Sequence, residues 1–110
     1  MADIDNIPQM QPTFESLRRT DEQGNEYWNS RDLCGAMGYS ANWKFQPVID
    51  KAIQVAAQKG MKVDDHFNQS VEMVKLGSGS SRKVDCFHLS RMACMIVAEN
   101  ADGKKPLVLQ

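Results

Sequence analysis

The chain has 110 residues, 42% of them hydrophobic and 25% charged, with a net charge of −1, proportions of one soluble globular domain rather than of a disordered, collagenous or repetitive chain. No apolar run approaches the roughly 20 residues a spanning helix needs, and the N-terminal MADIDNIPQMQPTF has acids where a signal peptide has basic residues, so a cytoplasmic location and no membrane contact are expected. With a sequence pI of about 6.1 there is no bulk attraction to nucleic acid, and any such function must rest on local clusters such as Arg18/Arg19, Arg82/Lys83 and Lys104/Lys105.

Residues 1–12 are polar, contain two prolines and have no periodicity, which predicts a flexible tail before a single domain over 13–110. Phe14 to Thr20 and Asn25 to Trp28 flank DEQGN, a five-residue connection with a glycine that predicts a β-hairpin. Ser30 stands before RDLCGAMGY as a hydroxyl N-cap for a short helix stopped by Gly38, and Ser40 offers a second cap. From Phe45, the residues Val48, Ile49, Ala52, Ile53, Ala56 and Ala57 fall on one helical face, with Gly60 closing the element. Pro47 sets the expected start of that helix, or a kink in it.

MKVDDHFNQ reads as a loop, Val71 to Leu76 as a strand, and Val84 to Leu89 as a clearer strand with Val84, Cys86 and His88 on one side. Ser90 is placed to cap a last helix whose apolar face holds Ala93, Cys94, Ile96 and Val97. The order hairpin, two helices, hairpin, helix predicts an α+β fold: a small antiparallel sheet of two β-hairpins packed against three to four helices. Cys34, Cys86 and Cys94 make an odd set without a CxxC pair, as reduced, buried thiols would.

GSGSSRK, Gly77 to Lys83, is the stretch in which nucleotide chemistry would lie. A phosphate loop needs GxxxxGK[ST] followed by a helix; here the glycines are two apart, none precedes Lys83, and a strand follows. As a linker it would isolate a segment too small for its own core. It is therefore expected to be a hairpin turn, with Gly77 and Gly79 supplying positive φ and Arg82 and Lys83 at its tip. Charges there serve solubility in most hairpins. His66, Cys86 and His88 are the candidate soft metal ligands, but no paired spacing joins them, and no metal is expected. Tyr39, Trp43 and Phe45 beside Lys44 allow a stacking platform for a nucleic-acid strand, with Phe45 better read as part of the helix's apolar stripe.

The segments FESLRRTDEQGNEYWNSRDLCGAMGYS, NWKFQPVIDKAI, DHF and KLGSGSSRKVDCFHLSRMACMIVAENAD resemble the bacterial DNA-damage-inducible protein D (DinD) family, itself similar to the Bro-N domains of viral and prophage proteins, antirepressors among them. The most specific matches are W-x-x-R-D-L-x-x-x-x-G-Y from Trp28 to Tyr39, the GSGSxRKV turn, and LSRxAC…NAD from Leu89 to Asp102. The resemblance implies a Bro-N-like fold and a non-enzymatic DNA-binding role in the bacterial SOS response, without cofactor. Its implied partners are DNA, single-stranded in preference to double-stranded, and a RecA-type recombinase; a second copy of the chain is a further expected partner.

Arg31, Arg82, Lys83 and Arg91 match positions that are basic in the family pattern, and with Lys44 they form the candidate nucleic-acid contacts. The family's chains continue past NAD whereas this one ends at GKKPLVLQ, so the resemblance implies a domain shortened at its C terminus. The net charge of −1 motivates the rival expectation: an antirepressor-like module that binds a protein and never grips DNA.

Overall fold

The computed structural model describes residues 13–101. The expected N-terminal tail and the basic pair Lys104/Lys105 lie outside the described residues. A 3-10 turn, Glu15–Leu17, leads into strands β1 (Arg19–Thr20) and β2 (Glu26–Asn29), followed by helices α1 (Ser30–Ala36), α2 (Asn42–Gln58) and α3 (Val63–His66). Strands β3 (Phe67–Lys75) and β4 (Ser81–Leu89) and helix α4 (Arg91–Asn100) complete the chain. The four strands form one sheet in the order β1-β2-β4-β3, antiparallel at every pairing. The class is the α+β arrangement the sequence predicts.

Most departures from expectation have a local cause. The first half of the predicted strand 14–20 is the 3-10 turn, because Thr13 and Ser16 exchange side-chain and backbone hydrogen bonds at 2.8–3.2 Å and draw the chain into a turn. Phe14 is thereby set parallel on Trp28, with ring centroids 4.2 Å apart. Ser30 does not cap α1: Asn29 does, accepting from the Arg31 N–H at 2.8 Å, while Ser30 Oγ accepts from the Phe87 N–H at 2.9 Å.

Helix α2 begins at Asn42, five residues before Pro47, with Ala41 at its N-cap and no side-chain cap; Ser40 instead accepts from Lys44 Nζ at 3.0 Å. Pro47 leaves the Trp43 carbonyl without its helical donor, but both residues are exposed, so the helix tolerates the loss at a solvent-facing position. The predicted loop over 61–69 contains α3 and the start of β3, which extends four residues further toward the N terminus than its alternation suggested.

Phe67, Leu89, Trp28, Phe45, Ile49, Ala93, Cys94 and Val97 lie in one buried cluster to which α1, α2 and α4 contribute. Because side chains alternate along a strand, Phe67 and Leu89 mark the helix-facing side of the sheet, whereas Val84 and Cys86 are buried on the other side, outside that cluster. Cys34, Cys86 and Cys94 are free and buried. Ser90 caps α4 as expected, accepting from the Ala93 N–H at 3.0 Å while its hydroxyl lies 2.7 Å from His66 Nδ1.

On the second side of the sheet, polar groups replace hydrocarbon. Asn29, fully buried, donates from Nδ2 to Glu72 at 2.8 Å and to Cys86 Sγ at 3.5 Å. Arg19 is bonded to Asp32 at 2.8 Å and pairs with Glu72 at 3.5 Å. Burial opposes the Arg19 charge, but Asp32 and Glu72 outweigh it and hold its pKa above the ordinary value. His88 stacks on Tyr27 at 4.2 Å. Burial first, and the Arg19 charge second, depress its pKa, against smaller opposing effects of Glu72 and Asp21.

Two predictions follow from this packing. Asn29→Ala strands the Arg31 N–H and the Glu72 and Cys86 partners at once, and should cost about 2–4 kcal/mol in urea denaturation, against about 1 kcal/mol for Ser90→Ala, where mainly a cap is lost. For His88 the folded state favours the neutral ring, so its contribution is complete above the unfolded value near 6.5 and is lost as pH falls through the folded value. His88→Phe keeps the stack on Tyr27 and removes the titration. Its urea midpoint should fall less than that of the parent between about pH 7.5 and about pH 5.5.

Candidate nucleic-acid interface

The β3–β4 hairpin extends past the helices as an arm. Its base is buried at Phe67 and Leu89, while Val71, Met73 and Leu76 toward the tip are 52%, 60% and 40% exposed. The turn is closed by Leu76 N–H to Ser80 O at 2.8 Å and Gly79 N–H to Leu76 O at 3.0 Å. Gly79 has φ +95° and Gly77 is not in the left-handed region, so one glycine, not two, makes the turn.

Strand β4 starts at Ser81, which moves Arg82 and Lys83 off the tip and into the ladder, opposite Val74 and Met73. Consecutive strand residues project to opposite faces. Lys83 therefore shares the helix-facing side with Met73, Val71 and Lys75, and Arg82 shares the other with Val74. Both cations are exposed, and neither side chain makes a hydrogen bond or ion pair with the described residues. Lys75 stands opposite Ser81 and is likewise exposed and unpaired among the described residues. Lys75 is not among the residues the sequence singles out, although its position flanking the same turn as Arg82 and Lys83 is a usable signal.

The other candidates are differently engaged. Arg91 donates to Glu26 at 2.9 Å through two nitrogens and to Glu15 at 2.8 Å, with its guanidinium 5.1 Å from the Trp28 ring centroid. The hydrogen bonds that Arg91 donates to Glu26 and Glu15 raise its own pKa, and the same bonds to Glu26, with Arg18 adding to them, hold the Glu26 carboxyl below its ordinary range. Arg91 follows the opposite end of β4 from Arg82, roughly 20 Å or more along the strand. Arg31 is half-buried in the first turn of α1. Lys44 lies in the first turn of α2, 5.5 Å from the Trp43 ring. The five candidates do not converge on one face.

Trp43 is 72% exposed, and Phe45 is buried at 1% beside Tyr39, so the aromatic run splits into one surface ring and one core ring. Between the start of α2 and the helix-facing side of the arm lies a groove of about 520 Å³, lined by Asn42, Gln46, Gln69, Val71, Asp85 and Phe87. The adjoining hollow, about 550 Å³, carries the acids Asp50 and Asp64. No acid occupies the first turn of α2.

His66, Cys86 and His88 each have protein partners, and among the described residues no group of three or more His, Cys, Asp or Glu could hold a metal ion. Burial pushes the Cys86 thiol up, away from the thiolate that nucleophilic or metal chemistry uses. Among the described residues no helix is long and apolar enough to cross a membrane.

No family model and no solved structure matches the chain. It is similar to a protein of Escherichia coli (strain K12) named DNA damage-inducible protein D, with 37% identity over 95 residues. The match covers 86% of this chain and 35% of that protein, so the chain spans about a third of its relative's length. The identity across most of its residues supports assigning this chain to the DNA damage-inducible protein D family.

Proposed function

We propose that the chain is a non-enzymatic, DNA-associated module of the DNA-damage response, gripping phosphates through the arm. The observation that carries this reading is the contrast between two sets of cations. Arg18, Arg19 and Arg91 are bound to carboxylates, whereas Lys75, Arg82 and Lys83 are exposed and unpaired among the described residues. Cations already neutralised by carboxylates add little to phosphate binding; unpaired ones on an extended arm release counterions when they meet it. The name of the Escherichia coli relative supports the damage-response setting, in which a RecA-type recombinase on single-stranded DNA is the expected neighbour.

A second reading has its own observation. Strand β3 is an edge of the sheet and exposes Val71 and Met73, a surface on which a protein partner could add a strand. That module would capture a recombinase or a second copy without affinity for DNA.

A salt titration separates the two. If the two lysines of one side, Lys75 and Lys83, neutralise phosphates of a single strand, the plot of log affinity against log salt should have a slope of about −1.4, and the double variant Arg82→Glu/Lys83→Glu should bring it to about −0.7. A flat plot for the parent protein would remove phosphate contact and leave the protein-partner reading.

A further inference from the structure

We infer that the groove between α2 and the arm is a site for one unpaired nucleobase bearing an exocyclic amino group, presented by a single strand of DNA. This rests on the DNA-binding reading above and adds to it the form of DNA and the class of base. The helix-facing side of the arm has an ordered polarity. From the core outward its cross-strand pairs are Phe67 with Leu89, Gln69 with Phe87, Val71 with Asp85, Met73 with Lys83, and Lys75 with Ser81. Hydrocarbon gives way to an amide, then to a carboxylate, then to two lysines. Groups able to read a base thus lie deepest, and groups able to hold its phosphates lie nearest the tip.

The charged group in the groove's lining, Asp85, favours hydrogen-bond donors on the ligand. Asp85 is exposed and has no hydrogen bond or ion pair among the described residues, and an ionised carboxylate only accepts. Gln46 donates one amide N–H to Asp50 at 2.9 Å, which leaves its carbonyl oxygen and its second N–H for a ligand. Cytosine and adenine carry exocyclic amino groups that such a carboxylate binds; an unpaired thymine offers only its N3–H, between two carbonyl oxygens that the carboxylate repels. Val71 and Phe87 give the ring an apolar wall, and a volume of about 520 Å³ is that of a small-molecule pocket.

Trp43 completes the site. It neighbours Asn42 in the first turn of α2, three residues before Gln46, so it stands at the edge of the helix face that lines the groove. An indole 72% exposed is placed to stack on a base of the same strand. In a duplex each amino group keeps only its major-groove N–H free and the rings are stacked on their neighbours, so a base can neither enter the groove nor stack on Trp43. The acids Asp50 and Asp64 in the adjoining hollow repel a backbone running that way and direct it toward Lys83 and Lys75.

The test uses the whole chain and oligo-dC, oligo-dA and oligo-dT of equal length, read by tryptophan fluorescence and by anisotropy of labelled DNA. Trp28 is fully buried, so a change in emission on binding reports Trp43. Oligo-dC and oligo-dA should quench that emission and bind about tenfold more tightly than oligo-dT. Asp85→Ala, an exposed position, should reduce the ratio to within about twofold, and Trp43→Ala should weaken all three by about tenfold. Equal affinity for oligo-dC and oligo-dT, an unchanged ratio in Asp85→Ala, or tighter binding of duplex would overturn the inference. Salt-sensitive binding without quenching or base preference would overturn the groove and leave the phosphate-gripping arm standing. No binding of any DNA at low salt would overturn both.

Discussion

Asn29 joins the two halves of the molecule. It ends β2, pairs with His88 on β4, caps α1 through Arg31, and reaches Glu72 on β3 and Cys86 on β4. A buried amide is tolerated only when its donors and acceptor are all used, and here they are used by three different elements. The ladder between β2 and β4 is only two residue pairs long, Trp28 with Leu89 and Asn29 with His88. Ser30 then continues it with a side-chain oxygen in place of a backbone one, accepting from Phe87. Without these two residues the second hairpin would be held to the first by hydrophobic contact, which is not directional, by the Tyr27–His88 stack and by the Arg19–Glu72 pair.

The joint fixes the arm at its base and leaves its outer half without neighbours. On the helix-facing side apolar burial ends before Val71, so the residues from there to the tip on that side are free to serve an external surface, while on the other side Val84 is still buried. The far end of β4 is organised in the opposite way. There Arg91 lies over Trp28 and Phe14 and is bonded to two carboxylates, so that an exposed guanidinium braces the aromatic stack. Residues of the same type, at two ends of one strand, have different work because their surroundings differ in available carboxylate.

Much of the fold was legible in the sequence because its signals are local. The Ser90 cap, the stripe from Ile49 to Ala56 and the alternation of Val84, Cys86 and His88 depend on near neighbours in the chain, and the structure has each of them. Pro47 misled the placement of the α2 start, since a proline's missing donor matters only where the freed carbonyl is buried, and Trp43 is exposed. Local sequence points to Ser30 rather than Asn29 as the cap for a similar reason: what occupies Ser30 is the N–H of Phe87, 57 residues away. The candidate site was less legible still. The sequence identifies Arg91 as basic but not as bound to Glu15 and Glu26, and the groove draws its lining from α2 and from both strands of the arm, which only the tertiary fold brings together.

The position of Arg82 and Lys83 within a strand, rather than at the end of a loop, gives the arm two chemically distinct sides. A ligand lying along one side meets one of these cations directly and the other only across the thickness of the sheet. Two neighbouring charges in sequence are thus separate contacts in space, and their energetic effects should add rather than couple. Around such an arm, what decides the surface a residue serves is whether its number is odd or even.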